Sequence, residues 1–476
     1  NYNPAVFSQS SHLAKASGIG LTFNSQVKAG TGNVTLSIAN AGVAGTVVEN
    51  FGVGNSVSYS TGPYGTVITI TPTADLSASQ DYHLSYPSGA FTNLGGDVSF
   101  VGTAYTFKGR DLINQMWGWG TGSYGAAAIN STIEYSSPIQ IPGTWAHLYQ
   151  SSDGSHTNYF AKNTGELWGA GTDGGGNLGQ NSTSPNRYSS PVQIPGTTWS
   201  TSAVMGRFTA IVPKTDGTLW VWGNNSQGAL GLNQASPVEI SSPTQLPGTT
   251  WTSGCGSGNS TLALKTNGTL WTWGQNEYGQ LGHNSTTKYS SPVQVPGTTW
   301  SKLPVNTAEG GNTSAAIKTD GTLWTWGQNN VGQLGHNDKT AYSSPRQIPG
   351  TSWANVASGS KAFMATKTDG TLWVMGDNER GALGQNEGPG SSSSGLYSSP
   401  VQIPGTNWHL THFALKRNAE AMIAMKQDGT LWGWGHNGSY LGLNSETLYS
   451  SPVQVGSDTT WTALGGGSAT MGLKQI

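Results

Sequence analysis

Residues 268–282 read GTLWTWGQNEYGQLG, and residues 321–335 read GTLWTWGQNNVGQLG. Two near-copies 53 residues apart mark an internal repeat. Their first tryptophans, Trp271 and Trp324, belong to a series with Trp117, Trp168, Trp220, Trp373 and Trp432. Its successive spacings are 51, 52, 51, 53, 49 and 59 residues. Two further anchors keep step. Ser-Ser-Pro ends at Pro138, Pro191, Pro243, Pro292, Pro345, Pro400 and Pro452. A tryptophan follows Pro-Gly-Thr or its equivalent at Trp145, Trp199, Trp251, Trp300, Trp353, Trp408 and Trp461. Trp119, Trp222, Trp273, Trp326 and Trp434 stand two residues after the first anchor, with Ala170 and Met375 in the two departing places. Together these sets account for all 19 tryptophans. None lies in the first hundred residues, so the repeat begins at a sharp boundary.

Each unit reads as about four strands. In residues 290–335, Ser-Pro-Val-Gln-Val is one, ended by Pro296-Gly297, and Trp300 opens the next. Ser314–Lys318 and Thr322–Trp326 flank Asp320-Gly321, a pair that accepts the positive φ of a two-residue hairpin turn. The turn recurs at Asp216-Gly217, Asn267-Gly268, Asp369-Gly370 and Asp428-Gly429, and as Thr164-Gly165. Alternation puts Trp324 and Trp326 on one face, and the large rings are expected to fill the space between neighbouring units. Four antiparallel strands repeated seven times predict a seven-bladed β-propeller over residues 112–476. The chain ends Leu473-Lys474-Gln475-Ile476 where other units have a third strand. The repeat region begins Leu112-Ile113-Asn114-Gln115-Met116-Trp117 where others have a fourth. The two ends are therefore expected to share one blade, which removes exposed strand edges.

The GTLWTWGQNxxGQLG pattern resembles the regulator of chromosome condensation repeat, a family of seven-bladed propellers. The Ser-Ser-Pro-Val-Gln-Ile-Pro-Gly-Thr-Thr-Trp variants resemble its prokaryotic and bacteriophage members. The family's eukaryotic founder is a nucleotide-exchange factor that docks on chromatin. That role is not expected here, because the chain has no basic tail or patch.

Residues 1–107 read as an Ig-like β-sandwich of six or seven short strands, among them Val34-Leu36-Ile38, Val67 with Thr69 and Thr71, and Tyr82-Leu84-Tyr86. The segments from Thr71 to Gly96, and the aromatic ending Ala104–Phe107, are similar to bacterial Ig-like domains of surface-layer and adhesin type. The resemblance implies a spacer or attachment module. Lys108–Asp111 is the expected linker.

Charged residues are 9% of the chain, against about 25% in an average soluble protein. The 21 basic and 23 acidic residues form no Lys/Arg run, so nucleic acid is not an expected partner. No stretch approaches the ~20 apolar residues of a membrane helix. The chain opens Asn1-Tyr2-Asn3-Pro4 without Met, which points to processing or to a start inside a longer chain. Cys255, the one cysteine, reads as a small packed residue without a neighbouring base.

Catalytic, cofactor and metal roles find no repeat-wide signature. Asp216, Asp320, Asp369 and Asp428 are turn formers. Glu309, Asp377, Glu379 and Glu420 lie outside the repeat pattern and would need to converge to serve as glycosidase carboxylates. Arg110, Arg187, Arg207, Arg346, Arg380 and Arg417 share no repeat position, unlike the arginine triad of sialidase propellers. His283, His336 and His436 read as solvated loop residues. The stretch Asp173-Gly174-Gly175-Gly176-Asn177 reads as a flexible turn without a calcium loop's alternation. The candidate ligand-binding residues are Tyr135, Tyr188, Tyr289, Tyr342, Tyr397 and Tyr449, which precede Ser-Ser-Pro, with Ile240 in the seventh place. They could pack the blades or form a ring for stacking on sugars. The loop from Asn386 to Leu396 is the longest departure from the repeat.

The sequence thus predicts a non-enzymatic structural or binding protein on a surface. A bacteriophage virion component comes first: a fibre, decoration or adsorption protein. A secreted or surface-anchored bacterial adhesin comes second, and a propeller glycoside hydrolase third. The Ig-like part would contact other virion or cell-surface proteins, and the propeller a host surface glycan or protein. No cofactor is implied.

Overall fold

A computed structural model describes residues 6–8, 19–23, 25–40, 43–62, 65–73, 81–100, 102–108, 114–152, 156–182, 186–233, 239–307, 311–387, 395–416, 419–467 and 469–475. It is all-β, with short 3-10 turns at Ser123–Gly125 and Ser226–Gly228. The chain divides into two compact units, residues 1–113 and 114–475.

The N-terminal unit is a sandwich. One sheet orders Val6–Ser8, Ile19–Phe23, Gly65–Ile70 and Val57–Gly62. The other orders Thr103–Lys108, Asp81–Tyr86, Asn33–Asn40 and Val43–Gly52. Val34, Leu36, Tyr82, Leu84 and Tyr86 point into the core as the alternation requires. In Gly65–Ile70 the buried residues are Thr66, Ile68 and Ile70, whereas Val67 faces outward. The strand's apolar alternation therefore starts one residue later than the Val67, Thr69, Thr71 reading. Phe23 packs edge-on against Phe91 and Phe100, both at 5.3 Å. Lys108 still pairs with Asp81 in the last strand, so it belongs to the sandwich rather than the linker. Residues 109–111 lie outside the described residues.

In the second unit, seven antiparallel groups follow one another among the described residues. Unit 1 joins the chain ends: Trp461–Gly465, Ala469–Gln475, Asn114–Gly120 and Tyr135–Ile141. Its central ladder runs in unbroken register from Asn114↔Gln475 to Gly120↔Ala469. This is the shared blade the two ends imply. Units 2 to 7 each run from an inner strand that follows the third-anchor tryptophan to an outer Ser-Ser-Pro strand. Their outer strands are Arg187–Gln193, Glu239–Leu246, Tyr289–Val295, Tyr342–Gln347, Leu396–Ile403 and Tyr449–Gln454.

The two tryptophans of Trp-x-Trp have different tasks. Trp119, Trp222, Trp273, Trp326 and Trp434 are fully buried. Each donates its indole N–H to a carbonyl of the preceding unit: Trp222 to Asn177, Trp273 to Ala229, Trp326 to Gln280 and Trp434 to Ala382, all at 2.8 Å, and Trp119 to Tyr440 at 3.0 Å. A buried indole N–H needs such a partner. Where Ala170 replaces this tryptophan, Asn158 Nδ2 takes the Ala126 carbonyl at 2.9 Å instead.

The first-anchor residues Trp117, Trp168, Trp220, Trp271, Trp324, Trp373 and Trp432 are half-buried. Each faces the third-anchor tryptophan across a lysine. Lys318 Nζ lies 4.0 Å from the Trp324 centroid and 4.8 Å from that of Trp300. Lys162, Lys214, Lys265, Lys367, Lys426 and Lys474 do the same in the other units. Filling the space between units thus falls to the second Trp, while the first closes a cation–π sandwich.

The Asp-Gly turns feed this arrangement. Asp320 Oδ1 accepts from Thr322 N and Oγ1, at 3.0 and 2.6 Å, and Thr322 Oγ1 accepts the Trp324 indole N–H at 2.8 Å. Asp216, Asp369 and Asp428 repeat the pattern.

Candidate binding site at the propeller axis

The inner strands meet side by side as parallel neighbours. Gln150 pairs with Val204, Val204 with Cys255, and Asn306 with Ala357. Toward their C-terminal ends, side chains close the axis. Asn306 Nδ2 donates to Gln150 Oε1 at 3.3 Å, Gln150 Nε2 donates to the Leu464 carbonyl at 2.9 Å, and Leu415 N donates to Asn306 Oδ1 at 2.9 Å. Buried Lys416 donates to the carbonyls of Gly466 and Gly467 at 3.0 and 2.9 Å. Units 1, 2, 5 and 7 are joined across the ring by this floor.

Above the floor, where the inner strands begin, lies a cavity of about 380 Å³. Six of the seven units contribute to its wall. Unit 6 does not, and Lys302 of unit 5 spans that gap, donating from Nζ to the Ala354 carbonyl at 2.7 Å. His147 and His412 face the same cavity. Burial pushes the His147 imidazole down to about 4, partly offset by a backbone hydrogen bond with Thr201. Burial pushes His412 down to about 3, and the nearby His409 and His147 add to the effect. His409 stacks on His412 with centroids 4.3 Å apart. Both cavity imidazoles are therefore neutral at pH 7, each with one N–H donor and one acceptor nitrogen. None of these residues belongs to a repeat anchor, so the sequence pattern did not single them out. The available signal was irregularity itself: Ser301-Lys302-Leu303-Pro304 and His409-Leu410-Thr411-His412 break the pattern after the third-anchor tryptophan.

The six tyrosines occupy six different outer strands, far apart in the ladder from the inner ones. Each stands opposite a glycine of the neighbouring strand, as in Gly327↔Tyr342 and Gly274↔Tyr289. Gly327 has φ +101°, and a Cβ there would sit 2.4 Å from the Asn312 carbonyl, so only glycine fits beneath the ring. Tyr342 and Tyr397 donate to Asp338 and Glu387, both at 2.6 Å, and Tyr449 contacts Ser445 Oγ at 3.5 Å. Tyr289 packs edge-on against His283. Tyr135 and Tyr188 are half-buried, and Ile240 packs into the core of its unit.

Asp377, Glu379 and Glu420 do converge. They surround Lys361 at 3.9, 3.7 and 3.5 Å, and Arg380 lies 3.6 Å from Glu420. This ion-pair cluster joins loops of units 6 and 7 at the other end of the inner strands. Glu309, Arg110 and Arg417 lie outside the described residues. Arg187 stacks on Tyr124, Arg207 lies over Phe208, and Arg346 pairs with Asp338. These arginines are therefore engaged separately.

The imidazoles of His283 and His336 meet the hydroxyls of Thr272 and Thr325 at 2.8 and 2.9 Å, and the backbone N–H of His436 donates to the Glu420 carbonyl. Among the described residues, no group of three or more His, Cys, Asp or Glu could hold a metal ion. Cys255 is fully buried, which pushes its thiol well above the ordinary range. Asp173 takes the place that Asn225, Asn276, Asn329, Asn378 and Asn437 hold in other units. Its Oδ1 accepts the Leu178 N–H at 2.7 Å, just as Asn276 accepts that of Leu281. Burial raises its carboxyl to about 6. Residues 388–394 of the long loop lie outside the described residues. Among the described residues, no helix is long and apolar enough to cross a membrane.

Residues 115–471 match the family model described as the RCC1-like domain, and residues 2–108 that of the Bacterial Ig-like domain. The chain is similar to the mitochondrial RCC1 domain-containing protein RUG3 of Arabidopsis thaliana, 32% identical over 46% of this chain and 50% of the relative. It is also similar to a protein RCC2 homolog of Danio rerio, 34% identical over 34% of this chain and 32% of the relative. The chain thus spans about a third to a half of the length of these curated relatives. Among solved structures, yeast RCC1 (Prp20) bound to Kap60 superposes with a TM-score of 0.65 at 18% identity, covering 77% of this chain and 90% of that one. Human WBSCR16 gives 0.64 at 18% identity, covering 76% and 98%. These two likenesses show the fold.

Proposed function

The chain belongs to the RCC1-like domain family, and from that premise, joined to its Bacterial Ig-like module, we propose that it is a non-enzymatic binding protein displayed on a surface. The propeller is the binding head and the sandwich the spacer or attachment module. The surface we propose is a bacteriophage virion, where the chain would serve as a fibre, decoration or adsorption component. A bacterial cell surface is the second reading, favoured by the match of residues 2–108 to a bacterial module.

One observation carries the binding reading. The charged and aromatic residues of the repeat are engaged in holding the fold together, whereas side chains that break the repeat converge on the axial cavity. The 21 basic and 23 acidic residues also form no Lys/Arg run of the kind that phosphate backbones attract. The exchange and chromatin roles of the family's founder are accordingly not part of this proposal.

The test is binding of the labelled intact chain to bacterial cells and to a glycan panel, alongside Ser253→Trp, which fills the cavity mouth. Wild type should bind and Ser253→Trp should not, with an unchanged melting temperature. Equal binding by both would sink the axial site. Sugars released during incubation would instead establish a hydrolase.

A further inference from the structure

We propose that the axial cavity binds the carboxylate of an acidic sugar, with Lys302 as its anchor. The proposal rests on the binding reading above and adds the class of ligand. Charge is the first support. Among the described residues lining the cavity, Lys302 alone carries a formal charge at neutral pH, and none is a carboxylate. An ammonium has three donors, and one goes to the Ala354 carbonyl. The others suit a carboxylate, because charge-assisted hydrogen bonds are the strong ones.

Hydrogen-bonding capacity is the second. The hydroxyls of Thr201, Ser202, Ser253, Ser301 and Thr411 surround the mouth, and the imidazoles of His147 and His412 stand among them. Groups that both donate and accept match a polyol better than a peptide, whose backbone offers few hydroxyl partners. The third support is the wall beneath. Leu148, Val204 and Leu303 offer an apolar surface for the C–H face of a sugar ring. A volume of about 380 Å³ is that of a small-ligand site.

Glucuronic acid, glucose and a tripeptide with a free C-terminus are titrated against the intact chain. The readouts are calorimetry and the imidazole proton resonances of His147 and His412. Glucuronic acid should bind at least about tenfold more tightly than glucose or the tripeptide, and Lys302→Gln should lose about tenfold, the size expected for one hydrogen bond to a charged group. Lys302 is exposed, so this variant should melt with the wild type.

The groups facing the ligand are Lys302, His147 and His412, with His409 stacked behind. A bound anion draws protons onto the imidazoles, whose folded values lie at about 4 and about 3, so affinity should be level from about pH 8 to about pH 6 and rise only as the pH falls further toward those values. Equal affinity for glucose and glucuronic acid, tighter binding of the tripeptide, no binding at all, or an unaffected Lys302→Gln would each overturn the proposal. Loss of cell binding in Ser253→Trp without any preference for the acid would overturn the ligand class alone. Retained cell binding in Ser253→Trp would overturn the axial site itself.

Discussion

Lys318 holds its ammonium between Trp300 and Trp324, 4.8 and 4.0 Å from the two ring centroids. Each such contact contributes about 0.5–1 kcal/mol at a partly exposed site, and the aliphatic stem covers apolar surface as well. Lys318→Ala should therefore lower stability by about 1–2 kcal/mol. Lys318→Arg should keep most of it, because a guanidinium also stacks on indole. Urea unfolding of both variants checks this; an equal loss in the two would show that the cation contributes nothing.

Asp216, Asp320, Asp369 and Asp428 are held below the usual carboxylate range, chiefly by hydrogen bonds from the threonine two residues on. A depressed folded-state pKa contributes stability that is present above the unfolded value and lost as pH falls through the folded one. The melting temperature should accordingly decline below about pH 4. Asn267 makes the same two bonds with Thr269 without a charge. Replacing all four aspartates by Asn should flatten the acid decline, whereas Asp320→Ala should destabilise at every pH. A melting series from pH 7 to pH 3 checks this.

Asp173 has the opposite sign. Its folded pKa is raised to about 6 by burial, so its ionisation opposes folding. The penalty is absent below the unfolded value, grows as pH rises toward 6 and is constant above it. Asp173→Asn restores the amide of the other units. It should stabilise the protein by about 1–2 kcal/mol at pH 8 and by almost nothing at pH 4. Denaturant curves at the two pH values check it.

Ala469–Gln475 pairs along its whole length with Asn114–Gly120. Deleting residues 469–476 would open two strand edges inside one unit and remove one of the two partners of Asn114–Gly120. The expected result is cooperative loss of the propeller's melting transition, not a small shift. A truncated chain that melts with the full one would refute the closure.

The tyrosine series can be separated from the axial site. Tyr289→Ala, Tyr342→Ala and Tyr397→Ala together should reduce stability while leaving ligand binding intact, because each ring packs within its own unit. Impaired glycan or cell binding by a folded triple variant would return the site to the outer strands.

The repeat and the shared closing unit were legible because they rest on residue identity at a constant spacing. The lysine series was equally present in the text, two residues before each Asp-Gly or Asn-Gly turn at Lys214, Lys265, Lys318, Lys367 and Lys426. What spacing could not reveal was that Trp300 and Trp324 close on one lysine from both sides. The cavity was illegible for another reason. His147, Lys302 and His412 belong to different units, share no repeat position, and become neighbours only when the ring closes. Asp377, Glu379 and Glu420 converge in the same way, through loops of two units.

The floor across the axis bears on how such a chain can evolve. Tandem segments of near-identical sequence invite duplication and loss, and the complementary halves of the closing unit flank the internal repeats, untouched by either event. A gene that gained or lost one internal segment would still encode two ends able to clasp. The bond between Gln150 and Asn306 is different, because it spans units three apart and forms only where the ring brings those two units face to face. These two amides act as a gauge: a ring of another size would move them apart and forfeit their bond.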